Sequence, residues 1–119
     1  MPHLTLEYTA NLALDPAAAL AAINAAAFDS GLFGESDIKS RAYCVDDFRI
    51  GIQPLARAFA HVRIALLGGR SPEERKALAD AVLAALSATL QAPPGHELQL
   101  SVETVDLDRA SYAKAVVNG

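Results

Sequence analysis

The chain has no tryptophan, a single cysteine, and only 6% aromatic residues. With Cys44 alone there can be no internal disulfide, and such cysteine usage suits a reducing compartment. A basic excess is also missing: 10 Lys and Arg stand against 14 Asp and Glu, for a net charge of −4. Nucleic-acid binders usually carry the opposite balance, so no nucleic-acid partner is expected. No charged start leads into an apolar run of the signal-peptide kind. The longest apolar stretch, Ala17 to Ile23, falls well short of the roughly 20 residues that span a bilayer. These absences predict a cytoplasmic protein without a membrane partner. His3, His61 and His96 have no ligand spacing with Cys44, so no metal site is expected.

At 119 residues the chain is one domain, residues 1–119, and 52% of it is hydrophobic. Much of that fraction is alanine, which contributes little area per residue. A monomer of this size is workable but thinly packed, and self-association is expected.

Pro2-His3-Leu4-Thr5-Leu6-Glu7-Tyr8 alternates as a strand, with Leu4, Leu6 and Tyr8 on one face. Asp15-Pro16 reads as an N-cap followed by proline at the first helical position. The alanine-rich segment from Pro16 to about Asp29 is then a helix with Leu20, Ile23, Ala27 and Phe28 as its stripe. A second strand is predicted from about Ile38 to Phe48, with Lys39, Arg41 and Tyr43 on one face and Cys44 in the core. Asp46-Asp47 reads as a strand-end turn, and Gly51 to Leu55 as a connection broken by Pro54. A third strand covers about Ala58 to Leu67, with Ala60, Val62, Ile64 and Leu66 facing opposite to Phe59, His61 and Arg63. Ser71-Pro72-Glu73-Glu74 carries a capping box that opens a helix with Leu78, Val82, Leu86 and Leu90 at spacing four. Pro93-Pro94-Gly95 ends it. A fourth strand spans about Glu97 to Leu107, and the break in its alternation near Thr104-Val105 predicts a bulge.

The order is strand, helix, strand, twice over. A shift of about 57 residues lays the first half (about 2–48) on the second (about 58–107), placing Pro2 near Phe59. Each half is predicted to be a βαβ unit with parallel strands. The expected fold is α/β (α+β), a duplicated βαβ whose two helices cover one face of a four-stranded sheet. The other face then shows His3, Glu7, Lys39, Arg41, Tyr43, Phe59, His61, Arg63, Gln99 and Glu103. Such a face could meet water, or line a channel between several sheets.

Three places carry candidate chemistry. Where Met1 is removed, Pro2 offers a free secondary amine, a proton acceptor at the end of a rigid strand. Arg41 is either part of a solvated face, paired with Glu7 or Glu103, or an anion clamp, since a guanidinium fork matches a carboxylate. Gly68-Gly69-Arg70-Ser71 is a turn plus cap. Because Ser71 and Glu74 occupy the first amides of that helix, any anion there belongs to the Arg70 side chain. The segment lacks the lysine and spacing of a phosphate loop. Lys39, Arg49 and Arg63 are further cations that could share a clamp.

Several of these segments, taken together, resemble one family. The opening Pro2-His3-Leu4-Thr5-Leu6-Glu7-Tyr8 with Asn11-Leu12 is similar to the start of 5-carboxymethyl-2-hydroxymuconate Δ-isomerases. So are Gly31-Leu32-Phe33, Ile38-Lys39-Ser40-Arg41, Phe59-Ala60-His61-Val62, Gly69-Arg70-Ser71 and Leu100-Ser101-Val102-Glu103. The resemblance runs to about Tyr112, and its most specific parts are the opening and Gly-Arg-Ser. It implies the tautomerase superfamily, a homotrimer with its sheets facing inward, and a catalytic N-terminal proline, here Pro2. It also implies a small di- or tricarboxylate substrate from homoprotocatechuate catabolism, held by Arg41 and Arg70, and no cofactor. Two other readings stand beside it: a tautomerase with a different substrate, and a ferredoxin-like regulatory module that binds a small metabolite.

Overall fold

The computed structural model describes residues 1–119. Its elements are β1 (His3–Thr9), α1 (Pro16–Asp29), a short 3₁₀ turn (Glu35–Asp37), β2 (Lys39–Val45), β3 (Arg57–Leu67), α2 (Pro72–Thr89) and β4 (Glu97–Leu107). Both helices start where their caps dictate. Asp15 Oδ1 accepts from the amides of Ala17 and Ala18 at 3.1 and 3.4 Å. At α2 the capping box is complete: Ser71 Oγ accepts from the Glu74 amide and Glu74 Oε1 from the Ser71 amide. Gly31, at φ +75°, turns the chain after α1.

The sheet order is β2-β1-β3-β4. The outer pairs β1–β2 and β3–β4 are parallel, as βαβ units require, and the central pair β1–β3 is antiparallel. Leu6 pairs with Val62, 56 residues further on. The same separation carries Pro16, first in α1, onto Pro72, first in α2. A pseudo-dyad therefore passes between Leu6 and Val62. Because strand faces alternate, only an even shift keeps buried residues on buried ones. The counterpart of Pro2 is thus Ala58, not Phe59.

Both helices lie on one face of the sheet. Leu4 and Leu6 from β1 and Ala60, Val62, Ile64 and Leu66 from β3 form the core with Ala19, Ile23 and Ala27 of α1 and Leu78, Val82 and Leu86 of α2. The opposite face carries the predicted polar side chains: His61 bonds Ser101 and Glu103 there, and Arg63 reaches Glu103.

Four other sequence expectations need correction. The second strand is shorter than Ile38–Phe48, because the chain bends at Asp46-Asp47. Cys44 is exposed rather than buried. It sits near the far end of edge strand β2. In α1 the buried stripe is Ala19, Ile23, Ala27, with Phe28 half out in solvent at 49%. The stripe sets two small alanines on either side of Ile23 where α1 meets the core. Finally, β4 has no bulge. Its register against β3 runs unbroken from Arg57↔Glu97 to Leu67↔Leu107. Val105 and Leu107 instead project to the polar face, where half-buried Ala65 and Leu67 make an apolar corner beside His3.

Candidate active site at the start of β1

The register of β1 places the chain start between two hollows. Pro2 is fully buried, and its carbonyl accepts from the Lys39 amide at 3.1 Å, which locks the start of β1 to β2. Met1 lines both hollows. One, of about 230 Å³, is walled by Phe33, Asp37, Arg70 and Arg109. The other, of about 560 Å³, is walled by His3, Lys39, Tyr112 and Lys114. Each hollow holds two cationic side chains, and the amine lies in the ridge between them.

The Arg70 guanidinium is held in place. Its Nη2 donates to the Leu32 carbonyl at 2.8 Å, and its charge lies 5.7 Å over the Phe33 ring. Arg109 donates twice to the Gly68 carbonyl, at 3.3 and 2.8 Å, which brings it to the same hollow. In the same hollow, Asp37 accepts from Lys114 Nζ, which lines the other one, at 2.7 Å, and lies 4.0 Å from the terminal amine. The Lys114 bond holds the Asp37 carboxyl below its usual range. The amine of Met1 is itself pushed below the ordinary α-amine value, first by burial and then by Lys114 and Lys39, with Asp37 opposing. His3 is also depressed, by burial first and then by Arg41, Lys39 and the amine. A desolvated amine between paired cations is an environment that favours a neutral, proton-accepting nitrogen and attracts a polyanion.

A third hollow, about 580 Å³, lies between α1 and α2. Its wall is mostly alanine, Ala26, Ala77, Ala81 and Ala84, with Asp29 and Glu74 at the rim. It offers no cation, and its Glu74 carboxylate is committed to the capping box.

The sequence model of the 5-carboxymethyl-2-hydroxymuconate isomerase family matches residues 2–117. The chain belongs to this family. A crystal structure of a 5-carboxymethyl-2-hydroxymuconate isomerase from Deinococcus radiodurans R1 shares 32% identity. It aligns over 96% of this chain and 88% of its own, with a TM-score of 0.81. A 5-carboxymethyl-2-hydroxymuconate delta-isomerase at 20% identity aligns over 100% and 89%, with a TM-score of 0.73. A fused 4-OT protein described as a symmetric trimer shares the fold at 22% identity, over 95% and 91%, with a TM-score of 0.74. No protein of curated function matches the chain by sequence. Membership makes the chain an isomerase, and it replaces the regulatory-module reading.

Within this isomerase, Pro2 is buried directly behind Met1, and Arg70 shares the smaller hollow with Met1. Arg41 does not line either hollow. It is exposed on β2, and Nη2 lies 2.7 Å from His3 Nδ1. It makes no ion pair with Glu7 or Glu103; Glu103 is taken by His61 and Arg63. Arg49 stays in the loop after β2, bonded to Ile52. Sequence reasoning missed Asp37, Arg109, Tyr112 and Lys114, all of which reach the start of β1 from segments without regular structure or from short turns. The Tyr-Ala-Lys of the tail was the only signal, and it has no periodicity to read. No helix is long and apolar enough to cross a membrane.

Proposed function

We propose that this isomerase moves a proton within an unsaturated 2-hydroxy polycarboxylate such as 5-carboxymethyl-2-hydroxymuconate, with the Pro2 nitrogen as base once Met1 is removed. The observation that carries the reading is the position of the chain start, a buried, cation-flanked ridge between an Arg70/Arg109 hollow and a Lys39/Lys114 hollow. Met1 covers this ridge, its sulfur accepting from the Tyr112 hydroxyl. With Met1 gone, the Pro2 nitrogen becomes the terminal amine beside the two hollows that Met1 lines.

The chemistry then follows from charge. Proline's secondary amine is more basic than an ordinary α-amine, whose pKa is about 7.7–8.0. Burial and the surrounding cations lower it toward neutrality, where a base can accept a proton and return it. The amine takes the proton of the 2-hydroxy group. The electron pair spreads through the conjugated system as a dienolate. The prolinium N–H then protonates the distal carbon, the double bond shifts, and a ketone remains. The proton lost from oxygen is the one gained at carbon. Carboxylates at the two ends of the substrate sit on Arg70 and Arg109 and on Lys39 and Lys114. Arg41, read from the sequence as a second clamp, acts at one remove through His3.

The homotrimer is part of the same reading. The polar sheet face is supported as an interface by the half-exposed Tyr43, and by Ile52 and Leu55, 87% and 56% exposed in the loop after β2. Such apolar side chains gain from cover by a neighbouring copy.

The test is the ultraviolet decay of a 2-hydroxymuconate-type dienol, using protein shown by mass to lack Met1, beside Pro2→Ala. A rate far above buffer that falls by orders of magnitude in the variant is expected. Equal rates in the two proteins would remove Pro2 from the mechanism. A protein active only on other unsaturated diacids would keep the base and change the substrate.

A further inference from the structure

After β4 the chain turns at Asp108, whose carboxylate accepts from the Ala110 amide at 3.2 Å and from Ser111 Oγ at 2.9 Å. The turn returns Tyr112 to the start of β1. The Tyr112 oxygen has two neighbours there, His3 Nε2 at 3.1 Å and the sulfur of Met1. On its other side, His3 Nδ1 meets Arg41 Nη2 at 2.7 Å.

The polarity of this row is fixed at one end. A guanidinium can only donate, so Nδ1 must accept. A neutral imidazole with Nδ1 bare carries its proton on Nε2. That N–H donates to the Tyr112 oxygen. The phenolic proton then has one outlet, the space that the Met1 side chain fills. Burial and the charges of Arg41 and Lys39 keep the ring neutral, which preserves the arrangement.

We propose that Tyr112, aimed by the Arg41–His3 pair, is a further catalytic residue, whose hydroxyl donates to the substrate's 2-oxygen as that oxygen becomes anionic. The inference rests on Pro2 acting as the base. Tyr112 keeps its proton throughout; the transferred proton passes from oxygen to the Pro2 nitrogen to carbon. The donor is set before the reaction begins, and a chain of bonds that ends on a cation polarises toward it. His3 is a positioning residue in this scheme, and so is Arg41. The arrangement gives the exposed Arg41 a function without any direct contact with substrate.

The experiment uses Met1-free protein and the same dienol, with kcat and KM measured separately for Tyr112→Phe, His3→Leu, His3→Gln and Pro2→Ala. Tyr112→Phe removes one oxygen from a half-buried ring and leaves the packing in place. Loss of one donor to a developing oxyanion lowers kcat by about a hundredfold, with KM little changed. His3→Leu falls in the same way. His3→Gln, which can accept from Arg41 and donate to Tyr112, retains most of the activity. A wild-type kcat in Tyr112→Phe beside an inactive Pro2→Ala overturns the assignment and leaves the proline base standing. A rise in KM alone also overturns it, since that marks uniform binding. An active Pro2→Ala removes the base reading, and this one with it.

Discussion

Replacing Arg70 with alanine removes three interactions whose effects separate into two assays. The first is the bond from Nη2 to the Leu32 carbonyl at 2.8 Å. A hydrogen bond to a charged group contributes about 1.5–3 kcal/mol net. Leu32 is half-exposed, so water reaches the freed carbonyl and the low end applies. The second is the charge over the Phe33 ring, at about 0.5–1 kcal/mol. Together they give about 2 kcal/mol, and at about 4 °C per kcal/mol for a domain of this size the melting temperature falls by about 8 °C. The third is the proposed grip on a substrate carboxylate. Losing a charge-assisted bond of about 2–3 kcal/mol lowers kcat/KM by about 30- to 150-fold. Circular dichroism melting reads the first two, and dienol decay well below the melting temperature reads the third. An unchanged melting temperature would refute the anchoring by Leu32 and Phe33. A kcat/KM within about threefold of wild type, where no decade of binding energy is lost, would refute the clamp.

Ser71→Ala removes the acceptor of the Glu74 amide at α2 but keeps the backbone amide that donates to Glu74, and lowers stability by about 1 kcal/mol in urea unfolding; Glu74→Ala added to it removes the remaining bond and lowers stability further. Asp37→Asn removes the only charge that raises the pKa of the Met1 amine, so in Met1-bearing protein that amine titrates lower still, as read by NMR. Lys114→Ala tests the Asp37 pair by pH. Lys114 depresses the Asp37 carboxyl in the folded state, so its stabilisation is present above the unfolded carboxylate range and is lost as pH falls through the folded value. The variant is therefore less stable than wild type at pH 7, and the gap in urea midpoint closes toward pH 3. A gap that stays constant with pH would show that the Lys114–Asp37 bond contributes no linkage.

The parts of the fold written in short-range code were legible. Asp15-Pro16 and Ser71-Pro72-x-Glu74 set both helix starts, because caps act within one turn. The alternation in β3 gave its buried face, and the spacing of Leu78, Val82 and Leu86 gave the buried side of α2. What failed were inferences that need a neighbour. Cys44 alternates as a core residue, but it sits near the far end of an edge strand and is exposed. Val105 breaks the alternation not through a bulge but because Ala65 and Leu67 offer it apolar company on the polar face. The site divides in the same way. The positions of Pro2 and Arg70 at a strand start and before a helix cap were readable because these are local features. Arg109, Tyr112 and Lys114 are brought to the start of β1 by the fold of a tail whose sequence has no periodic signal. Arg41 had the right strand and face, yet its partner is His3, two places along the neighbouring strand from the residue it pairs with.

The pseudo-dyad between Leu6 and Val62 sets the chain two equivalent corners, one at Pro2 and one at Ala58. Under the proposed chemistry only the first can work, because the nitrogen of Ala58 is committed to a peptide bond with Arg57. The second half thus repeats the architecture without repeating the reaction, and is released from the demands that a reacting nitrogen imposes. At its corner, Arg57 turns back to bond the Ile50 carbonyl, and the residues before it form a long loop instead of a terminus. Symmetry of backbone here coexists with a division of labour: one half supplies the reagent, while the other supplies the Arg70 guanidinium from the start of its helix.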